Sequence, residues 1–72
     1  MDKETLEKVG RQVFTKFPYL KDALPEVRQT TEDTFLLIYK GEVFTADDHV
    51  LPVLVRVVTD LNGKILKITS SH

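Results

Sequence analysis

Residues Val50–Thr69 read VLPVLVRVVTDLNGKILKIT. Two runs rich in Val, Ile, Leu and Thr flank Asn62-Gly63, the pattern of a β-hairpin. A two-residue type I′ turn needs positive φ at both central positions, which Asn followed by Gly tolerates best. On that turn Leu61 pairs with Lys64, Thr59 with Leu66, and Val57 with Ile68. Side-chain alternation then puts Leu51, Val53, Val55, Val57, Thr59 and Leu61 on one face with Leu66 and Ile68. That face is almost wholly apolar, so some other part of the chain must cover it.

The cover lies at the other end. From Asp2 to about Lys16, Leu6, Val9, Gly10, Val13, Phe14 and Phe17 recur at three- and four-residue spacing, which predicts an amphipathic helix. Asp2 suits the N-cap, and Glu4 suits the positive end of the helix dipole. Glu4–Lys8 and Glu7–Arg11 have the spacing of favourable pairs on the outer side. Pro18 ends the helix near Phe17. Gly10 lies on the apolar stripe, where it reads as a notch for close approach to the sheet.

Between helix and hairpin the chain supplies two further strands. Pro18–Pro25 is a connector bounded by prolines. It is expected to tuck Tyr19, Leu20 and Leu24 under the sheet edge, with a 3₁₀ turn. Glu26–Thr31 is polar enough for an edge strand, and Glu32-Asp33 begins a turn. Thr34–Thr45 forms a long second strand with Phe35, Leu37, Tyr39, Gly41 and Val43 facing the core and Leu36, Ile38, Lys40, Glu42 and Phe44 facing away. Gly41 suggests a bulge or bend; a hairpin turn at Lys40-Gly41 is the competing reading. The next loop must hold an odd number of residues, three or five, to keep both apolar sets on one face. Pro52 must sit where its missing N–H is not needed. The fourth strand runs from Lys64 to about Thr69, followed by a frayed tail.

The expected fold is therefore a single α+β domain over residues 1–72, an N-terminal amphipathic helix packed on a four-stranded antiparallel meander. This α-β-β-β-β order resembles cystatin-like folds. The likeness is one of element order and implies no activity.

One helix covers one face. The opposite face carries Leu36, Ile38, Phe44, Leu54, Val58 and Ile65, with Lys40, Arg56 and Lys67 among them. Such a face is too apolar for the solvated side of an antiparallel sheet. Large aliphatics rimmed by basic stems mark an association surface, although those same stems, or the connector, could shield the aliphatics instead. The expected function is a non-catalytic association module, a homodimer or protein-partner binder acting through this face or an edge strand.

Composition narrows the other classes. Lys+Arg total 10 and Asp+Glu 11, a formal charge of −1, which gives no general attraction to nucleic acid. RNA binding through Lys40, Arg56 and Lys67 is the first alternative, and Phe44 is the sole aromatic available to stack there. A small ligand held between helix and sheet is the second. With no cysteine, disulfides and thiolate metal sites are excluded. Asp47-Asp48-His49 places two carboxylates beside an imidazole, yet three consecutive residues rarely converge on one point, and Asp-Asp is ordinary loop chemistry. No cofactor or catalytic set is expected. The polar start MDKETLEKVG is not a signal peptide, no apolar run reaches membrane-spanning length, and a cytoplasmic location is the expectation.

Overall fold

The computed structural model describes residues 1–21 and 23–71. Helix α1 (Lys3–Lys16) is followed by a 3₁₀ turn at Pro18–Leu20 and four strands: β1 (Glu26–Thr31), β2 (Thr34–Phe44), β3 (Val50–Asp60) and β4 (Ile65–Ser71). The strands form one antiparallel sheet in sequence order, with β1 and β4 at its edges. The expected α+β architecture is the observed one.

The helix begins and ends where local chemistry dictates. The Thr5 N–H donates to Asp2 Oδ1 at 2.8 Å, satisfying one orphan donor of the first turn. That bond holds the Asp2 carboxyl below the usual aspartate range. At the other end the Phe17 N–H returns to the Val13 carbonyl, and Pro18 permits nothing further. Glu4–Lys8 and Glu7–Arg11 do not close: the single ion pair among the described residues is Arg28–Glu26. Exposed pairs of this kind gain little against side-chain entropy.

Val9 and Val13 drive the helix onto Leu37, Tyr39, Val53, Val55 and Val57, and all are buried. Leu20 from the 3₁₀ turn joins them. It sits over Gly41, where a Cβ would come within 2.6 Å of Leu20 Cδ2. The β2–β3 ladder passes through Gly41↔Val53 with no register shift, so this glycine marks a close approach rather than a bulge or a turn. Leu24, expected under the sheet edge, is 91% exposed.

The β2–β3 loop holds five residues, Thr45–His49, between the closing pair Phe44↔Val50. The odd count keeps both apolar sets on one side. The β3–β4 turn differs from the type I′ expectation. Only Gly63 has positive φ, at 83°, and the loop holds three residues, Leu61–Gly63. Asp60 decides this. Its Oδ1 accepts from the N–H groups of both Asn62 and Lys64 at 2.9 Å, and the Gly63 N–H donates to the Asp60 carbonyl. This is a type I turn followed by a left-handed residue, the usual three-residue solution.

The altered turn moves the register. Val57 still faces Ile68, but Thr59 now faces Ile65, and Leu66 is the extra residue of a bulge. Ile65 therefore lies on the helix side, packed against the core, and Leu66 is 53% exposed. Leu61, placed with the core from sequence, stands exposed in the turn. Ser70 and Ser71, expected to fray, pair with Val55 and Leu54. His72 lies outside the described residues.

Candidate association face

The side of the sheet away from α1 is built from the even-numbered residues of β2 and β3. Its centre is Leu36 beside Val58, then Ile38 beside Arg56, then Lys40 beside Leu54. These aliphatics are mostly buried, and among the described residues no helix or connector packs over them, since α1 and the 3₁₀ turn both lie on the other side. Of the nine residues named for this face from sequence, Leu36, Ile38, Lys40, Phe44, Leu54, Arg56, Val58 and Lys67 lie on this side of the sheet by register. Ile65 does not, because the β4 bulge turns it inward.

The edge strands add charge that the sequence reading missed. Glu26 pairs with Ile38 and Arg28 with Leu36. The Arg28 Nε and Nη2 groups donate to Glu26 Oε1 at 2.9 and 2.7 Å. On β4, Lys67 stands opposite Val58 and Thr69 opposite Arg56. A row of the sheet thus reads Arg28, Leu36, Val58, Lys67: cations outside, aliphatics inside. Counting back from the Thr31↔Thr34 pair would have put Gln29 opposite Leu36. One extra residue between Gln29 and Thr31 shifts β1 by one. The hydroxyls of Thr30 and Thr31 each lie within 2.8 Å of the Thr34 hydroxyl there, and no sequence signal marks that insertion.

Beyond the Glu26↔Ile38 and Leu54↔Ser71 pairs, β2 and β3 continue alone as a two-stranded arm. The arm explains the elongated outline of 44 × 20 × 16 Å. Phe44, Val50 and Leu51 are exposed at its end. The 3₁₀ turn supports the base of the arm at Gly41 and Val53, and the apolar tip stands beyond it.

Asp47, Asp48 and His49 cap this arm, and all three are exposed. Asp48 takes a left-handed φ of 62°, which Asp tolerates. The Thr45 Oγ1 accepts from the His49 N–H at 3.2 Å. These residues close a loop, and among the described residues no group of three or more His, Cys, Asp or Glu could hold a metal ion. Lys40, Arg56 and Lys67 stand on three different strands, with Phe44 far out on the arm, an arrangement without a stacking platform.

No helix is long and apolar enough to cross a membrane among the described residues. No protein-family model, curated protein or solved structure matches the chain.

Proposed function

We propose that this protein is a non-catalytic association module that forms a homodimer by laying its helix-free sheet face against the same face of a second copy. The observation that carries the reading is the aliphatic centre formed by Leu36, Ile38, Leu54 and Val58 on the two central strands, with no element above it among the described residues. Fully burying one such side chain contributes roughly 1.5–3 kcal/mol. Each is already mostly buried, so completing the burial adds at most about a third of that per residue. Charges of both signs on the face, Arg28, Lys40, Arg56 and Lys67 against Glu26 and Glu42, allow a self-complementary rim around a two-fold axis.

Light scattering coupled to size exclusion at micromolar concentration tests the reading. The expected mass is twice the 8.2 kDa of one chain. Leu54→Glu should return the single-chain mass with the helical circular dichroism intact. A parent protein that stays at single-chain mass up to hundreds of micromolar overturns the homodimer.

A further inference from the structure

A groove of about 490 Å³ runs between α1 and the connector ahead of β1, on the opposite side of the molecule from the association face. Its volume falls within the usual range for small-molecule sites, roughly 300–1,000 Å³. Leu6, Phe14, Ala23, Leu24 and Pro25 make its walls predominantly apolar. Leu24, almost fully exposed, stands open at its side rather than filling it.

Two features of the groove are not explained by packing. Tyr39 is fully buried, yet its hydroxyl has no hydrogen-bond partner among the described residues. Phe14 meets the ring edge-to-face at a centroid distance of 5.9 Å, which fixes the ring without satisfying the oxygen. Gly10 is the second. A Cβ there would meet Phe14 at 3.5 Å and the Tyr39 hydroxyl at 3.9 Å, ordinary contacts that alanine would tolerate. The notch expected from sequence is therefore not required by the helix–sheet approach. Glycine weakens the helix relative to alanine, and its missing Cβ thins the wall of the groove 3.9 Å from the unpartnered hydroxyl.

We infer that this groove binds a compact, mostly apolar small molecule bearing one neutral hydrogen-bond acceptor, a carbonyl or ether oxygen, which receives the Tyr39 O–H. Burial pushes the Tyr39 pKa up to about 12, so the phenol keeps its proton and donates. Lys3, Glu7 and Arg11 place both signs of charge along the groove and give a charged ligand no net preference. The site is independent of the homodimer.

The test is a nuclear magnetic resonance titration of labelled protein with acetophenone and with α-methylstyrene, which replaces the carbonyl oxygen by a methylene of similar shape. Both probes should shift Leu6, Phe14 and Ala23 resonances saturably in the parent. In Tyr39→Phe, acetophenone should bind about fivefold more weakly with α-methylstyrene unchanged, the size of one net hydrogen bond. Gly10→Ala should weaken both probes while raising thermal stability. Absence of saturable shifts at these residues, shifts that map instead to Leu36 and Leu54, or an unchanged affinity ratio in Tyr39→Phe each overturns the site. None of these results bears on the mass of the dimer.

Discussion

Thr59 and Tyr39 are buried residues whose hydroxyls have no partner among the described residues. An unpaired buried hydroxyl costs about 1–3 kcal/mol. Thr59 lies between β2 and β4 beneath the helix, away from the groove residues, so nothing there explains its oxygen. Thr59→Val keeps the shape and should stabilise the fold by about 1 kcal/mol, read as a higher urea midpoint with an unchanged slope. Tyr39 has a pH signature instead. Its pKa is raised from 10.0 to about 12 by burial. Between those values the unfolded chain has released a proton that the folded chain retains, so stability present below pH 10 should fall as pH rises toward 12. Tyr39→Phe should show a shallower loss over that window in pH-dependent denaturation, and equal slopes would count against the buried phenol.

At the scale of the element, the β3–β4 turn shows how a short-range signal is overridden by its neighbours. Asn62-Gly63 marks the position of the turn correctly. The Asp60 carboxylate, reaching two backbone N–H groups, selects the three-residue form over the two-residue one. Gly63 is then held twice, by its φ of 83° and by Thr5, whose Cγ2 lies 2.6 Å from where a Cβ would be. Gly63→Ala should destabilise by roughly 1–3 kcal/mol, measured by thermal denaturation, and should disturb the Thr5 and Val9 resonances because α1 rests on the turn. Both edge strands carry a one-residue insertion near this end of the sheet, at Thr30 and Leu66. Bulges at edges discourage further strand addition. They favour the central aliphatics over the edges as the surface of the proposed dimer.

Across the whole molecule, a chain of 72 residues without cysteine has little core from which to draw stability. Among the described residues, eight buried apolar side chains form that core, all on the helix side. Dimerisation through the other face would add a second apolar layer and make stability depend on concentration. The melting temperature of the parent should rise between micromolar and hundreds of micromolar, while that of Leu54→Glu should not move. A parent melting temperature independent of concentration would count against the dimer as a source of stability.

The sequence by itself determined the helix and its cap, the two long central strands, the odd loop that joins them, and which alternate residues of each share an apolar face; the register between the two strands came from the tertiary structure. The sequence-determined features rest on local chemistry and on a two-residue period that runs unbroken from Thr34↔Asp60 to Phe44↔Val50. Only the tertiary structure decided where Ile65 and Arg28 point, that Leu24 stays out of the core, and that Gly10 borders a groove. The reason is that a period of two is a parity: one inserted residue reverses every side chain beyond it. Whether a strand takes that insertion is settled by contacts from elsewhere in the chain, by Asp60 reaching across its turn, Thr5 resting on Gly63 and Thr34 meeting the Thr30 and Thr31 hydroxyls.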